Sequence, residues 1–176
     1  MKMESNKLIL LDSDVISHFV KGGQILLLPQ IFQYKKVILD IVFHELKKRK
    51  GYELFTENII RFKLITEIPF PENFEIQREY AHLLRFFGKG ESACMAFCKF
   101  NHQILASSNI RDVWDYCRNN NITLLTTMDF LAEAYKTGIL TEQQCNDFIK
   151  TVKEKGSKLP VDSIKVYLSD FNVNTL

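Results

Sequence analysis

The chain has 176 residues, 46% of them hydrophobic, and a formal net charge of +2. That is enough for one domain with a sizeable core and too short for two ordinary domains. So small a net charge does not by itself announce a nucleic-acid partner, which leaves the question to where the basic residues lie.

Met1 to Lys7 is polar, and the apolar run after it breaks at Asp12, so no secretion signal is read. No run approaches the ~18 apolar residues that a bilayer span requires, and the expectation is a soluble, cytoplasmic protein. Cys94, Cys98, Cys117 and Cys145 lack paired CxxC spacing. They read as core thiols of a reducing compartment rather than as zinc ligands, although Cys94 and Cys98 could share a helix face.

In chain order, Leu8-Ile9-Leu10-Leu11 predicts a buried strand that ends in Asp12-Ser13-Asp14 and runs into a helix through Val15 to Phe19. A second unit repeats the pattern: Val37-Ile38-Leu39 as strand, Asp40 as cap, and Ile41 to Lys50 as helix. Between Tyr52 and Phe87 the reading is helical material around a strand at Phe62 to Ile68. Pro69 and Pro71 then make a break before a helix from Glu72 to Phe87.

The last third alternates cleanly: helix Gly90 to Phe100, strand Gln103 to Ala106, helix Asn109 to Asn119, strand Ile122 to Leu125, helix Thr127 to Thr137. Thr141 caps a further helix to Lys155, and Leu159 to Phe171 reads as an edge strand or arm. Strands and helices in alternation with short links predict an α/β fold, a three-layer doubly wound sheet, mostly parallel, with helices on both faces. Repeats and low-complexity segments are absent.

Ligands of such sheets collect outside the carboxyl ends of the strands, and there this chain places acids. Asp12 closes the first strand, where it reads as a functional carboxylate, with Asp14 the better placed helix cap; Asp14 reads equally as cap or as a carboxylate one step back from a metal. Glu45 lies one turn into the second helix. Alone it would be a solvated surface residue. Glu91 opens a helix of small residues, Ser92-Ala93-Cys94-Met95-Ala96, which lets that helix approach the sheet closely.

These residues together resemble the PIN domain, a family of metal-dependent nucleases. The resemblance rests on LILLDSDVISHF, ILDIVFHELKK, GKGESACMAF and ILASSNIRDVWDYCRNNNITLLTTMDFLAEAYKTG, in that order, over residues 7–140. It implies a PIN-like domain over 1–140, with 141–176 a C-terminal helix and tail packed on it. One departure stands out: where the family has one or two aspartates after the strand, this chain has Ser107-Ser108-Asn109, and the nearest acid is Asp112. Asp112 reads equally as a site acid and as the third residue of a capping box begun at Asn109; Asp115 is the weaker candidate. Thr127 matches the hydroxyl that follows the family's last strand, and also reads as a helix cap.

The resemblance implies an endoribonuclease in which Asp12, Glu45, Glu91 and Asp112 act on a phosphodiester, with Asp12, Glu91 and Asp112 holding Mg²⁺ or Mn²⁺. Asp14, Thr127, Ser107 and Ser108 would support them. Oxygen-only ligands suit these hard ions, which activate water for in-line attack. Lys47, Lys48, Arg49 and Lys50 read equally as an RNA-binding track and as a solvated face; Lys35, Lys36, Lys89 and Arg111 lie near other element ends. Small members of the family are often toxins neutralised by an antitoxin, so the expected partners are RNA, a cognate antitoxin and a second copy of the chain. Trp114 reads as core or interface. Of the histidines, His18, His82 and His102 show no metal spacing, and His44 gains interest only beside Glu45.

Two rivals are distinct. Asp12-Ser13-Asp14-Val15 also looks like the first motif of haloacid-dehalogenase-type phosphatases, with Asp12 as nucleophile, Asp14 as general acid and Ser107 or Thr126 as hydroxyl; Glu45 and Glu91 then go unexplained. A PIN-like domain that binds RNA or protein without cutting fits the missing aspartate.

Overall fold

The computed structural model describes residues 7–170. Five strands, β1 (Leu8–Leu11), β2 (Lys35–Leu39), β3 (Thr66–Ile68), β4 (Ile104–Ala106) and β5 (Leu124–Leu125), form one sheet in the order β3-β2-β1-β4-β5. Every pairing is parallel, so the sheet is parallel throughout rather than mostly so. In register, Leu10 of β1 lies opposite both Val37 and Leu105. Strands covered on both faces must be apolar on both, which is why LILL and VIL run without alternation.

The helices are α1 (Ser13–Lys21), α2 (Asp40–Lys47), α3 (Glu53–Arg61), α4 (Phe74–Leu83), α5 (Lys89–Asn101), α6 (Ile110–Asn119), α7 (Thr127–Lys136), α8 (Glu142–Glu154) and α9 (Ile164–Asp170). They cover both faces of the sheet. None of them is long and apolar enough to cross a membrane. The four cysteines are buried free thiols.

Three boundaries depart from the sequence reading. The expected strand from Phe62 begins only at Thr66, because α3 continues to Arg61 and Lys63 turns the chain through a left-handed φ of 55°. Asp40 does not precede α2 as its cap; it is the first helical residue, and its Oδ1 accepts from the amides of Ile41 and Phe70, tying the exit of β3 to α2. The tail forms no strand within the described residues: Ile164 and Tyr167, three apart on α9, are buried together. Phe171 lies outside the described residues.

The sheet starts at β1 and grows one way to β2 and β3, and the other way to β4 and β5. That reversal makes the β1/β4 boundary a topological switch point, where a crevice opens at the carboxyl ends of the strands. Asp12 and Ser107 follow these two strands directly, and the amide of Asp12 still donates to the carbonyl of Ala106 at 2.9 Å.

At the far end of α1 the packing is apolar and tight. Phe19 meets Phe148 of α8 and Phe130 of α7 at centroid separations of 5.1 and 6.0 Å. A Cβ on Gly22, the residue ending α1, would lie 2.3 Å from the Phe148 ring, so only glycine permits this approach. Further along, Asp129 accepts from the Thr126 amide and hydroxyl through Oδ2 and from the Tyr167 hydroxyl through Oδ1 at 3.0 Å, which ties α9 to the start of α7.

Candidate active site

Asp12, Asp14, Glu45, Glu91 and Asp112 line one cleft of about 320 Å³, together with Ser13, Phe86, Phe87, Gly88, Gly90 and Asn109. The cleft sits at the switch point, and each acid reaches it from a different structural cause.

Asp12 ends β1 and is the N-cap of α1, the role expected of Asp14: its Oδ1 accepts from the Ser13 amide at 2.7 Å. It is 6% exposed. Burial raises its pKa well above the usual aspartate value, and the charges of Asp14, Glu91 and Glu45 push the same way, against the Ser13 hydrogen bond.

Asp14, in the first turn of α1, has its oxygens committed to the chain. Oδ1 accepts from the Val15 amide at 2.6 Å and Oδ2 from the Ser108 amide at 2.7 Å. The carboxylate thus anchors the loop after β4. Burial raises its pKa while those amide bonds oppose the rise.

Glu45 is exposed on α2, with Oε1 3.7 Å from the guanidinium of Arg49, which also donates to Ser13 Oγ at 2.9 Å. Gly90 is what lets Glu45 lean over α5. A Cβ there would lie 2.6 Å from Glu45 Oε2, 3.3 Å from Val42 Cγ2 and 3.7 Å from Asp12 Oδ1.

Glu91 stands in the first turn of α5, whose residues from Gly90 to Cys98 are otherwise buried. Burial raises its carboxyl to about 7; the Asn109 hydrogen bond opposes this, and Asp112, Asp14 and Glu45 add to it. Asn109 was legible in the sequence as part of a departure and as the start of a capping box, not as a bridge between acids. Its Nδ2 donates to Glu91 Oε1 at 2.9 Å and to Asp112 Oδ2 at 2.7 Å, bridging the two carboxylates. The expected capping box at Asn109 is not formed, since its side chain makes no cap hydrogen bond. Asp112 instead reaches the cleft rim.

Ser107 and Ser108 fill the place of the missing aspartate with donors. Ser107 Oγ lies 3.5 Å from Asp12 Oδ2 and from Asp14 Oδ2, at the long limit of a hydrogen bond. Ser108 accepts from the Thr127 amide and shares a 2.7 Å contact with the Thr127 hydroxyl. Thr127 is neither a cap nor part of the cleft wall; Thr126 caps α7, in a capping box with Asp129. The fully buried Thr127 hydroxyl sits between Ser108 and His18 Nδ1, the latter at 2.9 Å. Burial holds His18 down to about 4, with Lys21 adding to the effect.

The basic run is divided. Lys47 pairs with Glu57 at 2.7 Å and Arg49 braces Glu45, whereas Lys48 and Lys50 are exposed beyond the end of α2. Trp114 is 48% exposed, so it is not a core residue.

Among the described residues, no group of three or more His, Cys, Asp or Glu side chains forms a preassembled metal cage. The donor chemistry nevertheless fits a hard cation: the acids of the cleft offer oxygen alone, and Mg²⁺ keeps much of its water and needs only one or two carboxylates. Burial and mutual repulsion both disfavour charge on Asp12 and Glu91, and a cation relieves both. For the phosphatase reading, which also calls for a lysine, no lysine lines the cleft and the Thr126 hydroxyl is taken by Asp129, which leaves Ser107 as its hydroxyl.

No family model matches the chain, and no curated protein matches it in sequence. Among solved structures, a chain of VapBC2 from Rickettsia felis, bound to a DNA fragment from their promoter, aligns with a TM-score of 0.50 at 17% identity, covering 68% of this chain and 98% of that one. The likeness is one of fold, and the architecture of this chain, a five-stranded parallel sheet between helices, is PIN-like.

Proposed function

We propose that the chain is a metal-dependent endoribonuclease that hydrolyses phosphodiester bonds in RNA. The observation that carries this reading is the convergence of five carboxylates on one cleft at the switch point of a PIN-like sheet. Asp12, Glu91 and Asp112 would hold Mg²⁺ or Mn²⁺. When bound, such a cation supplies Lewis-acid polarisation of the phosphoryl group and acidification of water. Glu45, standing over Gly90, accepts the proton of the attacking water at Oε2. Asn109 keeps Glu91 and Asp112 in register, and Asp14 with Ser108 fixes the loop that carries Asn109.

The test is cleavage of single-stranded RNA across divalent cations. Wild type should cut with Mg²⁺ or Mn²⁺ and stop with chelator, and Asp12→Asn, Glu45→Gln and Glu91→Gln should each abolish cutting. Full activity in the Asp12 and Glu91 variants would refute the site. Asp112→Asn distinguishes a ligand from a residue that merely holds Asn109.

The likeness to a VapBC2 chain supports a partner as well: a cognate antitoxin that binds this chain in the cytoplasm, where four free thiols would stay reduced. A second copy of the chain is a further expected partner. Growth arrest on expression alone, relieved by a protein encoded directly upstream, supports the toxin role; harmless expression of an RNA-cleaving protein rejects it.

A further inference from the structure

A second cleft, of about 470 Å³, adjoins the acidic one and is lined by Asp40, Ile41, His44, Glu45, Lys48 and Lys89. Glu45 belongs to both walls. Its two lysines differ from their neighbours: Lys47 and Arg49 are engaged by carboxylates, whereas Lys48 and Lys89 are exposed and form no ion pair among the described residues. Two uncommitted ammonium groups meeting at one cleft make an anion site more readily than a run of paired cations does. Both acids of this cleft are partly occupied: Asp40 Oδ1 accepts two backbone amides, and Glu45 Oε1 lies 3.7 Å from the Arg49 guanidinium. His44 Nδ1 lies 2.6 Å from the Asp40 carbonyl and must donate to it, which leaves Nε2 as the ring's remaining polar atom.

The acidic cleft has an unusual wall. Phe86 lines it and is 64% exposed, an apolar ring left largely in water. His82 and the Arg85 guanidinium lie 5.6 and 5.5 Å from the ring centroid, so the ring has aromatic and cationic neighbours of the kind found on base-stacking surfaces.

Building on the nuclease reading, we propose that the substrate is a single-stranded polynucleotide crossing the two clefts over Glu45. One backbone phosphate sits between Lys48 and Lys89, and a base beside the cleavage site stacks on Phe86. A base in a duplex is already stacked on its neighbours and cannot lie on Phe86, so paired substrates are excluded. Phosphate pairing and stacking are common to RNA and DNA single strands, and the 2′-hydroxyl is what separates them.

The experiment is fluorescence anisotropy with labelled single-stranded RNA, single-stranded DNA of the same sequence and the RNA duplex, over a salt series without divalent cation. The double variant Lys48→Ala/Lys89→Ala should weaken single-strand binding by roughly tenfold at low salt and reduce the salt slope by about 0.7, as loss of one neutralised phosphate requires. Phe86→Ala should weaken it by roughly tenfold with the slope unchanged, and Phe86→Trp should restore it. Lys136→Ala, at the exposed end of α7 and outside both clefts, should leave binding as it is. Binding indifferent to the Lys48/Lys89 and Phe86 changes, equal affinity for the duplex, or no binding to any of the three probes overturns the proposal. If those variants leave binding and KM unchanged while Glu91→Gln abolishes cleavage, the path is wrong and the nuclease reading stands. If they weaken binding as expected and no cation produces cleavage, the path stands and the nuclease reading fails.

Discussion

The two ends of α1 solve opposite problems. Its start gathers charge: Asp12 and Asp14 are buried or nearly so beside three further carboxylates, at an electrostatic cost to the chain. Its finish gathers apolar surface, with Phe19 packed between Phe130 and Phe148 and Gly22 pressed against the Phe148 ring. The contrast teaches where this protein keeps its stability and where it spends it, and it can be broken at either end.

The largest effect should come from the acidic end. Asp12→Asn or Glu91→Gln should lower cleavage by roughly a hundredfold or more, while thermal unfolding without metal shows the variant at least as stable as wild type, because a source of repulsion is gone. Loss of folding in both variants would mean that these carboxylates are structural. At the apolar end, Gly22→Ala should destabilise by about 1 to 3 kcal/mol in denaturant titration, since Phe148 is fully packed and has nowhere to move. Cleavage per folded molecule should not change.

Gly90→Ala tests the contact between α2 and the cleft. The nearest obstacle to its Cβ is the tip of the flexible Glu45 side chain, so the fold should hold within about 1 kcal/mol while cleavage falls by roughly tenfold as Glu45 is displaced. Equal activity would place Glu45 outside the reaction.

The smallest effect is in pH. Glu91, held up to about 7 when folded, against an ordinary 4.5, contributes stability that is complete below about 4.5 and lost as the pH rises through 7. His18 acts in the other direction: folded, it titrates near 4 rather than 6.5, so stability is lost as the pH falls between those values. The metal-free melting temperature should therefore fall on both sides of an intermediate pH. Glu91→Gln should shrink the alkaline limb, to which the raised Asp12 and Asp14 carboxyls also contribute, and leave the acid limb as it is; Mg²⁺ should raise the alkaline limb more in wild type than in the variant.

The sheet was legible because its strands are short apolar runs ended by polar residues, as LILL-Asp12 is, and because the helices between them carry amphipathic spacing. What escaped was set by contacts distant in sequence. Nothing local in Leu159 to Asp170 says helix rather than arm until Ile164 and Tyr167 find the core. The three acids Asp12, Glu45 and Glu91 could be named from their positions after strands and at helix starts, and the structure brings them into one cleft. The roles of Asp14, Thr127 and Asn109 could not, because a carboxylate, a hydroxyl and an amide are each equally able to cap a helix or to brace a distant loop. The basic run was visible as a run, but which lysine was already paired depended on Glu57 and Glu45 lying within reach.

The Tyr167 hydroxyl bond to Asp129 sets how far the chain can be shortened. A fragment ending at Gly138 would retain every cleft residue, yet it would bare Phe19 where Phe148 had covered it and would take from Asp129 a donor that reaches it from α9. Asp129 also fastens Thr126, whose neighbour Thr127 touches both His18 and Ser108. The smallest self-sufficient fragment therefore extends at least to Tyr167, and a truncation library scored for soluble, protease-resistant product should show its break there rather than at Gly138.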